Sequence, residues 1–130
     1  MQKFSQVGTL RVISDANSLK IFHAIANGEV KSEKLKLTKG LSKKQFYWRT
    51  RQMIKSGLIQ RRKGCFSLTA FGLIVHGAEL EIEKALQNYW KLKAIDSIQA
   101  SGEIAKTECS MLIKTILNDE KIENFLSSSS

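Results

Sequence analysis

The segment LSKKQFYWRTRQMIKSGLIQRRKG, Leu41 to Gly64, constrains the fold more than any other part of the chain. It contains eight Lys or Arg and no acidic residue, yet hydrophobic residues recur through it at regular intervals. The spacing predicts a helix over 42–56 whose inner face packs against a core. That inner face contains Phe46, Thr50, Met53, Ile54 and Gly57.

The opposite face of the same helix is strongly basic and carries two aromatic residues. It contains Lys43, Lys44, Tyr47, Trp48, Arg51 and Lys55, with Gln45 between the two faces. A solvated surface with aromatics at the rim of the core would explain this pattern. A nucleic-acid interface explains it better, because no acid neutralises the face and a major groove admits one helix with donors for phosphates and base edges.

A β-hairpin, the wing, is predicted over 58–69. The runs LIQRR and CFSLT flank the dipeptide Lys63-Gly64, and a glycine between two alternating runs is typical of a tight turn. Arg61, Arg62 and Lys63 near the tip extend the basic surface, and they are placed to reach the DNA backbone or a minor groove.

Helices are also predicted on the N-terminal side of the basic segment. SDANSLKIFHAIANGE has cap candidates at Ser14 and Asp15 and a helical apolar period. An extended piece at 29–31 and a short helix through Leu35 and Leu37 follow, so this short helix and the basic helix form a helix-turn-helix. The earlier TLRVI alternates weakly, as a short strand or a tail would.

A long helix is predicted from Ala70 to about Ala100, followed by one or two terminal helices and a polar Ser tail. Apolar residues recur every seven residues along it, which is typical of a helix that pairs with a second copy. We expect homodimerisation through Val75, Ala78, Ile82, Ala85, Tyr89 and Leu92. Packing of this helix on its own domain is the alternative. The predicted domains are 1–70 for DNA binding, 71–126 for dimerisation, and a disordered 127–130.

The charge is unevenly distributed along the chain. Lys and Arg number 21 against 12 Asp and Glu, a net charge of +9; residues 1–64 contribute +12 and residues 65–130 contribute −3. Segregated positive charge favours a polyanionic partner. The sequence lacks a transmembrane run or a signal-peptide pattern, and two cysteines fit a reducing compartment, so we expect a cytoplasmic, nucleoid-associated protein.

Catalytic and metal chemistry is not expected. His23 and His76 are isolated in the sequence, with no Cys, His or carboxylate at a metal-ligand spacing, and no nucleophile motif or phosphate-binding loop is present. The predicted protein is therefore not an enzyme and has no cofactor. Cys65 lies among basic residues that favour its thiolate, so an oxidant-sensing role stays open.

The chain resembles winged helix-turn-helix proteins, the broad group that holds the arsenical-resistance and multiple-antibiotic-resistance repressors and similar small archaeal regulators. The resemblance covers about residues 10–76. It rests on SLKIFHAIANGE, on LSKKQFYWRTRQMIKSGLI with its Gly-Leu-Ile exit, and on FSLTAFG. Arsenical-resistance sensors carry a Cys-x-Cys pair that this chain lacks, so metal responsiveness is not implied.

The resemblance implies a mainly α fold with a small β-hairpin wing, followed by a long C-terminal helix and terminal helices. It also implies a dimeric transcriptional regulator that binds double-stranded DNA through the 42–56 helix and the wing. The expected DNA-binding residues are Lys43, Lys44, Gln45, Tyr47, Trp48, Arg51, Lys55, Arg61, Arg62 and Lys63. The alternatives are a sequence-indifferent nucleoid protein and a winged-helix protein-interaction module.

Overall fold

The computed structural model describes residues 4–28, 30–31, 40–102, 106–117, 121, 122, 124 and 126. Six helices and three strands lie in these ranges. In chain order they are α1 (Gln6–Val12), α2 (Ala16–Ala26), β1 (Val30–Lys31), α3 (Lys43–Lys55), β2 (Ile59–Arg62), β3 (Cys65–Leu68), α4 (Ala70–Gln87), α5 (Tyr89–Ser101) and α6 (Lys106–Leu117).

Helix α1 corrects the interpretation of TLRVI as a strand or a tail. Ser5 caps it, with its hydroxyl oxygen accepting a hydrogen bond from the Gly8 N–H at 3.0 Å. Ser5 is the sequence signal for this helix, because a side-chain cap satisfies one of the backbone N–H donors that the first turn leaves without a partner. The weak alternation seen in the sequence therefore belongs to a helix.

Helix α2 confirms the predicted first long helix, with Asp15 as its N-cap. The Asp15 carboxylate accepts a hydrogen bond from the Ser18 N–H at 3.1 Å. Ile21, Phe22 and Ile25 are buried on its inner face. The predicted short helix through Leu35 and Leu37 lies outside the described residues, as does the 127–130 tail.

The hairpin is confirmed as β2 and β3, which pair antiparallel with Ile59 opposite Leu68 and Arg62 opposite Cys65. The extended piece at 30–31 forms a third strand, β1, which pairs antiparallel with β3. The strand order is β1-β3-β2. Both central residues of the hairpin turn have positive φ, 52° at Lys63 and 76° at Gly64, as a type I′ turn requires.

The single helix predicted from Ala70 to Ala100 is wrong, because Asn88 interrupts it. The backbone there has φ −104° and ψ 17°, outside the helical region. The Asn88 side-chain amide donates to the Lys84 carbonyl at 2.8 Å, where the backbone N–H of Asn88 also donates. The backbone hydrogen bonds at Asn88 are kept, so the interruption lies in its dihedral angles. Two shorter helices, α4 and α5, result.

The chain divides into two compact units, residues 1–77 and 78–130. Among the described residues of the first, nine form one buried core: Ile13, Ile21, Phe22, Ile25, Phe46, Met53, Leu58, Ile59 and Phe66. Among the described residues of the second, the buried cluster is Ile95, Leu117 and Ile122. The architecture confirms the predicted fold class, a winged helix-turn-helix followed by C-terminal helices. No helix among the described residues has the length and apolarity to cross a membrane.

Candidate nucleic-acid interface

Helix α3 is held at both ends by local hydrogen bonds. Ser42 is its N-cap, and the hydroxyl oxygen accepts from the Gln45 N–H at 3.2 Å. At the C-terminus the Gly57 N–H donates to Ile54 O and the Leu58 N–H donates to Met53 O, both at 3.0 Å. This is a Schellman motif, and Gly57 has the positive φ of 80° that the motif needs.

The inner face of α3 is buried at three of its predicted positions. Phe46 and Met53 have no exposed surface and Thr50 is 2% exposed. The Thr50 hydroxyl donates to the Phe46 carbonyl at 3.0 Å, so its polar group is satisfied inside the core. Ile54 departs from the prediction, since it is 42% exposed. It follows Met53 directly and is turned about 100° away from it, which places it at the edge of the packed face.

The outer face of α3 is exposed along its whole length. Every predicted DNA-binding residue of this helix is exposed: Lys43, Lys44, Gln45, Tyr47, Trp48, Arg51 and Lys55. Trp48 is 60% exposed, which removes it from the core. Tyr47 is 39% exposed, and its ring contacts the edge of the Phe46 ring with centroids 5.7 Å apart. The face therefore presents cations and one free indole on a rigid support.

Arg49 lies on α3 but does not belong to the outer face. Its guanidinium forms an ion pair with the Asp15 carboxylate and donates to the Ser18 hydroxyl at 3.0 Å. Burial raises the pKa of Asp15, but hydrogen bonds from Ser18 and the Arg49 charge outweigh burial and lower that pKa overall. Arg49 thus ties α3 to the N-terminus of α2, a role that charge counting along the sequence does not reveal.

The wing adds three exposed cations, Arg61, Arg62 and Lys63. The Arg61 guanidinium lies 5.7 Å from the centroid of the Phe66 ring, which is its cross-strand partner. A cation over an aromatic ring is attracted by the ring quadrupole, so Arg61 is partly ordered. Arg62 pairs with Cys65 and extends from the other face of the hairpin.

Thr69 and Gly72 fix the wing and α4 against the end of α3. The Thr69 hydroxyl donates to Gly57 O and accepts from the Gly72 N–H at 2.9 Å. Gly72 lies so close to the chain that an added Cβ would be 2.0 Å from Leu58 O. This contact is the physical reason for the Leu-Thr-x-x-Gly pattern in the sequence: Thr joins two elements and only Gly permits their approach.

The six predicted dimerisation residues do not form one exposed stripe. Val75 packs against the core of the first unit, and Leu92 packs against the buried cluster of the second. Ala85 is half-buried, whereas Ala78, Ile82 and Tyr89 are exposed. In the second unit Leu86 and Trp90 are also exposed, at 68% and 79%.

The two histidines, isolated in the sequence, lie together in the first unit. His23 on α2 and His76 on α4 have ring centroids 5.6 Å apart, and a ring nitrogen of one lies within 4.8 Å of a ring nitrogen of the other. Both side chains are half-buried. No local spacing could reveal this pair, because the contact forms only when α4 packs beside α2.

Comparison with known proteins identifies the fold. No protein-family model matches the sequence, and a search of curated proteins finds no match. The chain is similar to the quinone-bound YodB from B. subtilis, with a TM-score of 0.58 and 14% identity over 63% of this chain and 94% of that one. It is also similar to NolR from Sinorhizobium fredii, with a TM-score of 0.50 and 20% identity over 63% of this chain and 96% of that one. At such identities the likeness establishes a shared winged-helix architecture.

Proposed function

We propose that this protein is a dimeric, sequence-specific, double-stranded DNA-binding transcriptional regulator. The observation that carries the proposal is the division of α3 into a buried face and an exposed basic face. With Phe46 and Met53 fully buried, the helix is a rigid edge that projects its cations. The fold shared with YodB and NolR supports the proposal.

In this proposal α3 enters the major groove, and its side chains make different kinds of contact with the DNA. Arg51, at the middle of the exposed face, offers two donors in the geometry that guanine O6 and N7 accept. Lys43, Lys44 and Lys55 lie nearer the helix ends and contact phosphates. Gln45 and Tyr47 supply further polar contacts to bases or phosphates, and the exposed Trp48 offers apolar contact to a thymine methyl or a sugar.

The wing contacts the backbone or a minor groove beside the site of α3. Lys63 occupies the turn itself, and Arg62 projects from the face opposite Phe66, so the two cations leave the hairpin in different directions. A positively charged tip of this kind suits the negative potential of a narrow minor groove. The protein then acts in the cytoplasm, where it associates with the nucleoid.

In this proposal dimerisation belongs to residues 71–126, the helical region that follows the wing. Ile82, Leu86, Tyr89 and Trp90 are large apolar residues that are 46% to 79% exposed. Exposed apolar surface of this kind marks an interaction site, and a second copy is its commonest partner. Two copies present two α3 helices to two half-sites of a palindromic operator.

Binding to duplex DNA across a salt series tests the proposal. If six or more phosphates are contacted, affinity falls on the order of a thousandfold between 50 and 200 mM salt, because condensed counterions are released on binding. A flat response would exclude DNA as the partner. It would favour the alternative of a protein-interaction module.

Two substitutions on α3 separate base reading from backbone contact. Arg51→Ala is expected to cost roughly 1 to 3 kcal/mol on the cognate site and to relax specificity, since it removes a base contact. Lys43→Ala should weaken cognate and random DNA alike. Equal losses on both DNAs for both variants would favour a sequence-indifferent nucleoid protein, an alternative supported by the bias of 16 Lys to 5 Arg.

A further inference from the structure

Two imidazoles from distant parts of the chain meet beside the core of the winged-helix unit. His23 lies on α2 and His76 on α4, and their rings meet at 68° with centroids 5.6 Å apart. The Phe22 ring contacts the His76 ring edge-on with centroids 5.8 Å apart, which restricts the orientation of that imidazole. Both histidines are half-buried.

The separation of the ring nitrogens suits a shared metal ion. A tetrahedral ion with metal–nitrogen bonds of about 2.0 to 2.1 Å holds two ligand nitrogens about 3.3 Å apart. A nitrogen of His23 and one of His76 lie within 4.8 Å of each other. Rotation about the side-chain torsions of two half-buried residues can close a difference of this size without moving either helix.

We propose that His23 and His76 form a binding site for a divalent transition metal ion of the Zn²⁺, Ni²⁺ or Co²⁺ type. Imidazole nitrogen suits these ions, whereas Mg²⁺ and Ca²⁺ prefer oxygen ligands. Water fills the remaining coordination positions. An ion held in this way crosslinks α2 to α4, the helix that follows the wing.

The ligands both belong to residues 1–77, and neither is among the proposed DNA-binding or dimerisation residues. Along α4, Glu79 follows His76 at the i, i+3 spacing that places two side chains on one face of a helix. The proposal requires only the two imidazoles. If the histidines serve solely as an aromatic cluster with Phe22, metal ions have no effect on the protein.

The test uses the full chain, stripped of metal with a chelator and then titrated with Zn²⁺, Ni²⁺, Co²⁺ or Mg²⁺. We expect one transition ion to bind per chain and the thermal unfolding midpoint to rise with its concentration, since a ligand of the folded state stabilises it. Mg²⁺ should leave the midpoint unchanged. No rise with any of the three transition ions overturns the proposal.

Substitutions assign the ligands. His23→Gln and His76→Gln should each weaken binding at least about tenfold, because each removes one direct ligand. The chain has two His and two Cys, so the double variant Cys65→Ser/Cys109→Ser is the matched control and should bind as tightly as the parent. Loss of binding in that control, or unchanged binding in both glutamine variants, overturns the assignment.

A measurement on the unaltered chain keeps the test valid if a glutamine variant fails to fold. Nitrogen-15 NMR resolves the imidazole nitrogens of both histidines directly. With Zn²⁺ added, a ligating nitrogen of each ring should shift with the same titration midpoint. A spectrum in which neither imidazole responds to Zn²⁺ overturns the proposal.

Discussion

The two units of the chain differ in the size of the apolar cluster that each one buries. In the described part of 1–77 nine hydrophobic side chains form one buried cluster, four of them from the strongly basic 41–64 segment. In the described part of 78–130 the buried cluster has three members. Both units also expose large apolar side chains, among them Leu73 and Ile74 in the first and Leu86 and Trp90 in the second. The comparison teaches that the first unit has the larger core beneath its basic helix, whereas the described part of the second unit has a small one.

The charges follow the same division. Residues 1–77 carry +12 and residues 78–130 carry −3, so the unit with the larger core is the basic unit. A rigid support suits charged side chains that must meet fixed phosphates, because their positions are set by the core beneath them. The smaller net charge of residues 78–130 opposes the proposed association of two copies less than the +12 of residues 1–77 would.

The largest expected effect tests whether internal contacts hold the first unit together. Gly72→Ala should lower the free energy of unfolding by about 3 kcal/mol, since the new Cβ would lie 2.0 Å from Leu58 O. Gly77→Ala on the same helix is the control. Among the described residues, nothing beyond its chain neighbours and the local helix backbone lies within 4 Å of a Cβ there, so it should stabilise by about 0.5 to 1 kcal/mol. Denaturant unfolding of both variants measures these changes. Similar free energies of unfolding for the two variants would contradict the close contact at Gly72.

The second prediction tests whether the exposed apolar residues of 78–130 form the dimer interface. The double variant Ile82→Ser/Trp90→Ser should raise the dimer dissociation constant at least about thirtyfold, as loss of an apolar hot spot does. The two side chains are 58% and 79% exposed, so far-UV circular dichroism of the subunit should be unchanged. Glu83→Ala, an exposed position on α4, is the control. Sedimentation measures the dimer, and unchanged association would place the interface elsewhere.

The third prediction compares two arginines on one helix. Arg49→Ala should lower the free energy of unfolding by about 1 kcal/mol, because it removes the partner of Asp15; the 45% exposure of Asp15 moderates the loss. Arg51→Ala should leave stability unchanged and weaken DNA binding. Chemical unfolding and DNA titration of both variants separate the roles. If Arg49→Ala weakened DNA binding and left the free energy of unfolding unchanged, Arg49 would instead belong to the DNA-binding face.

The same ion pair predicts a pH dependence. The pKa of Asp15 is lowered below its ordinary 3.8 in the folded protein, so its stabilising effect is present above that value. It is lost as pH falls through the lowered pKa. The stability difference between the parent and Arg49→Ala should therefore narrow below about pH 3.8. A difference that persists at lower pH would show that Arg49 acts through packing alone.

The smallest effect concerns the wing turn. Lys63 has a φ of 52°, which costs an L-residue about 1 to 2 kcal/mol, and Gly loses about 0.5 to 1 kcal/mol more backbone entropy on folding. Lys63→Gly should therefore stabilise the protein by about 0.5 kcal/mol while weakening DNA binding. Thermal unfolding should show the gain in stability, and DNA titration should show the loss of affinity. Arg62→Ala should weaken binding without the gain in stability.

Local patterns determined much of this protein. The apolar period of α3, the Ser42 and Asp15 caps, and the Gly57 and Lys63-Gly64 signals predicted the elements, because each depends on residues within a few positions of one another. Separation of the cations from the buried face of α3 was also predictable from helical spacing. The DNA-binding residues proposed from that face are still predictions.

Long-range contacts were decided only by the tertiary structure. The inward role of Arg49 depends on Asp15, the need for Gly72 depends on Leu58, and the pairing of His23 with His76 depends on the packing of α4 beside α2. The break at Asn88 divides a heptad pattern that appeared continuous in the sequence. Sequence periodicity specifies which face of an element is buried, but the partner that buries it lies far along the chain, and only the folded core brings the two together.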